Sequence, residues 1–247
     1  MKNFVINLNR QPKKYETFLE MNAGTGIAFE RFEASDGKSF SLQDAVGMKL
    51  VVPEAQLTPG AVGCGASHFR IWQQMTESEV PALVFEDDAI IRHDINERLV
   101  ALLPTLGNWD ILALGYNTDS ILDVEFAPGM NSMMAFKPEH LEDWCGASFQ
   151  RSKSQVAVLR LNNCFGTAGY AVSPAGARKL LQLCFPMENL LFPIPALGRT
   201  FTVYGIDGMM NSIYRSIEAF ACFAPLVMPR NDIVNSTTQT TDARTWS

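Results

Sequence analysis

A run of apolar residues that leads straight into three acids constrains the fold of this chain more than any other feature. Residues 82–85 are consecutive apolar residues, and Glu86, Asp87 and Asp88 follow at once. An uninterrupted apolar run of this length is typical of a strand buried on both faces of a parallel sheet. In open α/β sheets, ligands bind outside the carboxyl ends of the strands. The sequence therefore predicts that the sheet delivers these three acids to a ligand site.

The three acids have a functional and a structural interpretation. Adjacent carboxylates raise one another's pKa values unless a cation or hydrogen-bond donors lie close. If the chain stays extended, the side chains of Glu86 and Asp88 point to one side and that of Asp87 to the other. A pair on one side can hold Mg²⁺ or Mn²⁺, which prefer oxygen ligands. The alternative is a solvated acidic turn after a core strand, and the acids alone favour neither interpretation.

Composition and charge limit the classes of partner. The chain has 247 residues, 47% of them hydrophobic, which is enough for one large α/β domain or two small ones. A net charge of −6 without any evident basic stretch argues against a nucleic-acid partner and against electrostatic docking on an anionic membrane. No run of about 18 apolar residues occurs and the N-terminus does not resemble a signal peptide, so we expect no transmembrane segment.

The cysteines point to a reducing compartment. There are five of them, widely spaced, and no two form a Cys-x-x-Cys pair, so the sequence predicts no zinc site. Buried free thiols are the simpler interpretation.

Segments with the pattern of strands alternate with segments that have the pattern of helices. Thr58-Pro59 and Ser173-Pro174 are helix-start signals, with a capping hydroxyl before a proline. The alternation predicts an α/β fold with a mostly parallel sheet and helices on both faces. The predicted strands cover residues 4–8, 27–32, 82–85, 109–114, 155–161, 166–172 and 220–227, and the predicted helices cover 12–21, 60–76, 95–106, 174–183 and 207–217.

Three stretches lack a clear period. Residues 116–155 are rich in Gly, Met, Ser and Asp, which predicts a functional insertion or a mobile lid. Residues 185–199 contain three prolines and are predicted to form a loop, and the polar tail, residues 230–247, is predicted to fray. We therefore expect a single domain over residues 1–247 with an insertion near 116–155.

Short motifs in a fixed order resemble glycosyltransferase family 25, which holds bacterial lipooligosaccharide galactosyltransferases and collagen hydroxylysine galactosyltransferases. The most specific is Gly60-x-x-Gly63-Cys64-x-x-Ser67-His68, followed by Phe85-Glu-Asp-Asp88. The others are Val5 to Arg10, Ala34 to Gly37, Gly166 to Ser173, Gly176 to Leu181, and Ile206-Asp207. The resemblance implies a GT-A, Rossmann-like fold, a UDP-sugar donor (typically UDP-galactose), a glycan acceptor such as lipooligosaccharide, and inversion at the anomeric carbon. We also expect a cytoplasmic protein, either free or peripheral at the inner membrane, in line with free thiols in a reducing compartment.

The resemblance further implies roles for named residues. Asp88 would be the direct ligand of Mn²⁺ or Mg²⁺, with Glu86 or Asp87 on the ribose or on a metal-bound water, so Glu86 counts as both a metal and a donor residue. Each remaining role has a structural alternative, namely an ordinary turn or a hydrogen-bonded helix residue. The remaining donor-binding candidates are Asn7, Leu8 and Arg10 at the uridine, Asp36 and Gly37 at the ribose or base, Ser67 and His68 at the diphosphate, and Gly166 and Thr167 at the sugar.

Asp207 is the candidate general base, with Asp110 and Asp119 as weaker rivals. Its place at a predicted helix start also allows a capping role. A helix N-terminus would lower its pKa and keep the carboxylate ionised.

The chain departs from the family pattern at Asn9, where an acid is usual, and at Lys13 and Lys14, where arginines are usual. The main alternative is a catalytically inactive member that binds a nucleotide sugar or glycan, and the intact acids argue against it. A Rossmann methyltransferase or a nucleotidyltransferase would need a glycine-rich loop after the first strand, which residues 7–10 do not supply.

Overall fold

The computed structural model describes residues 1–136 and 146–230. Part of the predicted insertion (137–145) and the predicted tail beyond residue 230 lie outside the described residues. The helices are α1 (Pro12–Met21), α2 (Leu42–Gly47), α3 (Pro59–Thr76), α4 (Ile95–Leu102), α5 (Gly146–Gln150), α6 (Pro174–Cys184) and α7 (Ile206–Ile213). The strands are β1 (Lys2–Asn7), β2 (Glu30–Glu33), β3 (Ala82–Glu86), β4 (Ala89–Ile91), β5 (Ile111–Gly115), β6 (Ile121–Ala127), β7 (Met130–Ala135), β8 (Ala157–Cys164), β9 (Gly169–Val172), β10 (Leu191–Ile194), β11 (Arg199–Thr202), β12 (Ala219–Phe223) and β13 (Val227–Pro229).

Nine of these strands form one sheet in the order β2-β1-β3-β9-β5-β12-β8-β6-β7. β1 is parallel to both β2 and β3, and β5 is parallel to β12. β9 lies antiparallel between β3 and β5, while β8 and β7 are antiparallel to their neighbours. Six of the nine strands (β1, β2, β3, β5, β6 and β12) therefore point in one direction, and the prediction of a mostly parallel α/β sheet is confirmed.

Helices cover both faces of the sheet, as predicted. On one face, Trp72 of α3 and Leu180 of α6 are buried in one apolar cluster with Val84 of β3. On the other face, Phe18 of α1 is buried with Phe85 of β3. Successive side chains of a strand point to opposite faces, so the apolar run is buried on both. Each large apolar side chain that is fully buried stabilises the fold by about 1.5–3 kcal/mol.

Two helices begin where the capping signals predict. The Thr58 hydroxyl accepts a hydrogen bond from the Ala61 N–H at 3.1 Å at the start of α3. The Ser173 hydroxyl accepts one from the Gly176 N–H at 2.9 Å at the start of α6. Each cap stabilises its helix by about 1 kcal/mol. The cap of α3 also fixes the start of the helix that carries Ser67 and His68.

Two stretches contain strands that the sequence pattern does not indicate. Residues 121–135 form the hairpin β6–β7, which extends the sheet beyond β8. The prediction of a loop at 185–199 is wrong in part, because β10 and β11 pair antiparallel across residues 191–202. The side chains of the edge strand β7 are mostly exposed, so the strand lacks the apolar alternation that sequence analysis detects. The lid hypothesis for residues 116–155 stays a prediction.

The cysteines of the described part, Cys64, Cys164, Cys184 and Cys222, carry free thiols, as expected. None of the helices in that part is both long and apolar enough to cross a membrane.

Candidate functional site

The carboxyl end of β3 carries the three acids, but the chain does not stay extended there. β3 ends at Glu86, and Asp87 and Asp88 form a turn before β4 begins. The chain has to turn because β4 leaves the large sheet and pairs with β13. The condition on which the alternation of the three side chains was expected, an extended chain, therefore does not hold beyond Glu86.

Glu86 is placed where its negative charge is poorly tolerated. Burial raises the pKa of Glu86 to about 8, and the negative charges of Asp88, Asp87 and Asp207 act in the same direction. The Thr167 hydroxyl donates a hydrogen bond to Glu86 Oε1 and offsets only part of this effect. This position therefore favours either a proton on Glu86 or a cation beside it.

Asp207 is the fourth acid of this region. It lies at the second position of α7, so it is not the capping residue, which is Gly205. Asp207 Oδ1 accepts a hydrogen bond from the Gly208 N–H at 2.8 Å, and Oδ2 accepts one from the Gly166 N–H at 3.4 Å. Burial nevertheless raises the pKa of Asp207. The expectation of a lowered pKa is therefore wrong, because desolvation outweighs the backbone donors at the helix start.

A short loop connects the two acids that lie farthest apart in sequence. β9 is antiparallel to β3 and Gly169 pairs with Phe85, so the loop before β9 lies beside the carboxyl end of β3. In this loop, the Gly166 N–H binds Asp207 and the Thr167 hydroxyl binds Glu86. Gly166 has φ of +85°, and a Cβ there would lie 2.1 Å from Asn117 Oδ1, so only glycine fits. We call Glu86, Asp87, Asp88 and Asp207 the acid cluster.

His68 of α3 is fully buried near this cluster. Its Nδ1 lies 2.7 Å from the Tyr170 hydroxyl, which also accepts a hydrogen bond from Trp72 Nε1 at 2.9 Å. Burial lowers the pKa of His68 to about 4, so the imidazole is neutral at neutral pH.

Ser67 and Gly37 hold the turn after β2 against α3. The Ser67 hydroxyl donates to Gly63 O at 2.8 Å and accepts from the Ser35 N–H at 2.9 Å. A Cβ on Gly63 would lie 2.5 Å from the Gly37 backbone N, so the two backbones touch directly. Neither Ser67 nor Gly37 lines the cavity that adjoins this turn.

That cavity opens at the carboxyl ends of β1 and β2 and has a volume of about 410 Å³. Of the predicted donor residues, it brings together Leu8, Arg10 and Asp36. Sequence analysis missed Arg70 of α3, although Arg70 follows Ser67 by one helical turn and so shares its face. The full lining consists of Leu8, Asn9, Arg10, Glu33, Ala34, Ser35, Asp36, Ser39, Phe40 and Arg70. We call this space the open cavity.

Two arginines bring positive charge to the open cavity. Arg10 Nε lies 2.6 Å from Asp36 Oδ2. Burial alone would raise the pKa of Asp36, but the hydrogen bonds from Arg10 and the Lys38 N–H, with the charges of both residues, lower it. Arg70 Nη1 donates to Glu33 O at 3.0 Å. The cavity therefore presents cationic donors to a ligand, as anion binding requires.

Asn7 connects β1 to the acid cluster rather than lining the cavity. Asn7 Nδ2 donates to Asp87 Oδ2 at 2.6 Å and to Gln11 O at 3.0 Å. Asn7 Oδ1 accepts from Arg31 Nε at 2.9 Å. Because the amide is buried and bonded at both ends, it positions Asp87.

Asp110 and Asp119, the weaker candidates for the general base, differ in burial. Asp110 is buried and pairs with Lys179 at 2.6 Å, and it accepts from the Glu218 N–H at 2.8 Å, which is a structural arrangement. Asp119 is exposed in a turn.

The strand order, the acids at the carboxyl end of β3 and the adjoining open cavity define an α/β protein of the Rossmann-like class with a candidate ligand site at the sheet edge. The chain belongs to glycosyltransferase family 25. The sequence model of that family, described as "Glycosyltransferase family 25 (LPS biosynthesis protein)", matches residues 1–194. The resemblance that the motifs indicate is thus confirmed.

Several relatives carry names that refer to galactosyl transfer. Procollagen galactosyltransferase 1 of Danio rerio is 26% identical over 92% of this chain and 36% of its own length. Procollagen galactosyltransferase 2 of Mus musculus is 24% identical over 72% of this chain and 27% of its own length. Inactive glycosyltransferase 25 family member 3 of Mus musculus is 27% identical over 76% of this chain and 30% of its own length. The chain thus spans about a third of the length of these relatives.

Among solved structures, the crystal structure of mannose-1-phosphate geranyltransferase from Thermus thermophilus aligns with 93% of this chain and 74% of that chain. The identity is 13% and the TM-score is 0.37, which is too low to support any inference.

Proposed function

We propose that this chain is an inverting glycosyltransferase that transfers a hexose, galactose from UDP-galactose, to a hydroxyl group of a glycan such as lipooligosaccharide. The observation that carries the proposal is the convergence of Glu86 and Asp207 on the loop at Gly166 and Thr167. Acids with raised pKa values that meet at the carboxyl edge of a sheet are candidates for acid–base chemistry and charge stabilisation.

The open cavity would take the uridine and part of the diphosphate. Its volume of about 410 Å³ lies within the usual range for small-ligand sites. Arg10 and Arg70 would supply charge-assisted hydrogen bonds to an anionic donor, and Phe40 would offer an apolar surface to the base. Ser67 and Gly37 would support this cavity from behind.

The acid cluster fits a hard divalent cation. Burial raises the pKa of Glu86 to about 8 and the neighbouring carboxylates add to the effect, so a cation would relieve the repulsion among them. Asp88 and Glu86 would hold Mn²⁺ or Mg²⁺ through oxygen. When bound, the cation would supply the positive charge that stabilises the leaving diphosphate.

Asp207 would act as the general base toward the acceptor hydroxyl. A single inverting displacement needs a base on the face opposite the leaving diphosphate. Burial raises the pKa of Asp207, and a carboxylate with a raised pKa is a stronger base than an exposed aspartate. The Gly166 and Gly208 N–H groups would keep the carboxylate oriented.

The experiment that tests the proposal follows UDP release from UDP-galactose in the presence of Mn²⁺ and a lipooligosaccharide acceptor. Other nucleotide sugars are compared in the same assay, together with a thermal-shift screen for binding. A donor at about 100 times its Kd should stabilise the fold by roughly 2.7 kcal/mol. No UDP release above background with any donor and acceptor would refute the catalytic proposal.

A nucleotide-sugar or glycan-binding protein without turnover is the second candidate. The name of the Mus musculus relative, "Inactive glycosyltransferase 25 family member 3", favours keeping it. A donor-dependent thermal shift without any UDP release would select this candidate.

The place of action is also a proposal. We infer a cytoplasmic protein, free or peripheral at the inner membrane, because a lipid-linked glycan acceptor would be met there. Cell fractionation with antibody detection would test it, since recovery in a secreted fraction contradicts the inference.

A further inference from the structure

Two residues of α3 and one of β3 bring three metal-ligating atoms together. Cys64 Sγ, a ring nitrogen of His68 and a carboxylate oxygen of Glu86 lie within 4.8 Å of one another. Cys64 and His68 are four residues apart on one helix and therefore share a face. We propose that Cys64, His68 and Glu86 form a site for a thiolate-binding divalent ion of the zinc class, which shares the Glu86 carboxylate with the hard-cation site proposed at Asp88.

His68 provides an independent observation that points to a ligand. Its side chain is fully buried, and Nε2 has no hydrogen-bond partner among the residues that the structure describes. Buried polar atoms without a partner are rare and are usually explained by an ion or water. The Tyr170 hydroxyl can accept from both Trp72 Nε1 and a protonated Nδ1, which leaves the lone pair of Nε2 free to bind a metal. Metal-binding histidines commonly donate their other ring N–H in this way.

The charges and ligand types select the ion. A thiolate and a carboxylate neutralise a divalent cation, and a neutral set suits a largely buried position. On binding, the Cys64 thiol and the Glu86 carboxyl group each release a proton to the solvent, and the resulting thiolate and carboxylate bond to the metal. Thiolate and imidazole ligands favour zinc over manganese or magnesium. Three protein ligands would leave one tetrahedral position for a water molecule.

The experiment titrates the reduced 247-residue chain with Co²⁺, which substitutes for Zn²⁺ and absorbs light when bound to a thiolate. We expect a thiolate-to-cobalt charge-transfer band that saturates at about one equivalent, is removed by Zn²⁺ and persists in excess Mn²⁺. The band should be absent in Cys64→Ser, which is close in size to the parent residue. It should remain in Cys222→Ala, because Cys222 is buried on the opposite face of the sheet.

A second measurement needs no absorbing metal. Zn²⁺ at about 100 times its Kd should raise the Tm of the parent by roughly 5–10 °C and leave that of Cys64→Ser unchanged. The proposal is overturned if the parent shows no charge-transfer band, if the band survives in Cys64→Ser, or if excess Mn²⁺ removes it. Neither measurement uses a nucleotide sugar, so the result does not depend on the proposed glycosyl transfer.

Discussion

Asp36 in the open cavity and Glu86 in the acid cluster are carboxylates near the ends of β2 and β3, the two strands that flank β1, yet their pKa values move in opposite directions. Arg10 and the Lys38 N–H compensate Asp36, and its pKa falls. Glu86 is desolvated and surrounded by further acids, and its pKa rises to about 8. The difference comes from the neighbours of each residue, since both lie at the same edge of one sheet.

The contrast separates two tasks within one candidate site. The open cavity is solvated and Asp36 is paired with Arg10, so the cavity is suited to binding a ligand with little change in the protein. In the acid cluster, burial raises the pKa values of Glu86, Asp87 and Asp207, which is typical of groups that handle protons or cations. If this division is correct, substitutions in the two regions should change different quantities.

The largest expected effect is on turnover, in Asp207→Asn. We expect kcat to fall by about 10²–10⁴-fold with UDP-galactose affinity nearly unchanged, because only the base is lost. Steady-state UDP release with a true acceptor measures it, and Asp119→Asn serves as the control on an exposed acid. Near-parental turnover in Asp207→Asn would show that Asp207 is not the general base and that the acid cluster does not carry the proton transfer.

The next effect is on metal-dependent binding, in Asp88→Asn. We expect the Kd for UDP in Mn²⁺ to rise by about 10–100-fold, because a carboxylate ligand is replaced by a neutral amide. Binding of uridine without metal should be unchanged, since the open cavity is intact. Calorimetric titration measures both, and equal UDP affinity of variant and parent in Mn²⁺ would exclude Asp88 as a ligand.

In the open cavity, Arg70→Ala should raise the Kd for UDP by about tenfold, because charge-assisted hydrogen bonds are worth roughly 1.5–3 kcal/mol. At saturating donor, kcat should stay near the parental value. Arg178→Ala is the matched control. Arg178 lies on α6, outside the lining of the open cavity, and its guanidinium donates a hydrogen bond to the Thr76 carbonyl. A fall in kcat without a change in Kd would show that Arg70 acts in turnover rather than in binding, which contradicts the proposed division between the two regions.

The smallest effect is on the pH dependence of stability, in Glu86→Gln. The folded pKa of Glu86, about 8, lies above its usual value of 4.5, so its protonated form stabilises the fold below pH 4.5 and this stabilisation is lost as pH rises through 8. Because Glu86 is partly exposed, we expect only about 1–2 kcal/mol, or roughly 2–8 °C in Tm between pH 5 and pH 8. Glu86→Gln should remove that part of the decline, whereas Glu79→Gln, at an exposed position, should not. Parallel Tm curves for the parent and Glu86→Gln would contradict the raised pKa.

Local sequence determined the elements of the fold. The apolar run at residues 82–85 specified a strand buried on both faces, because alternate side chains must each find an apolar neighbour. Thr58 and Ser173 marked their helix starts, since a hydroxyl before a proline satisfies the first free N–H groups. The order of short motifs was sufficient to identify the family. The sequence pattern did not indicate β7, because an exposed edge strand carries no apolar period.

Which distant residues come into contact, and in what electrostatic environment, depends on the tertiary structure. The insertion of β9 antiparallel to β3 places Thr167 beside Glu86, and no local pattern encodes a strand order. The proposed zinc-class ligands likewise come from two elements, α3 and β3, so a search of the sequence for Cys-x-x-Cys pairs could not find them. The pKa of Asp207 rises rather than falls because burial depends on everything packed around α7, whereas the sequence shows only that a helix begins there.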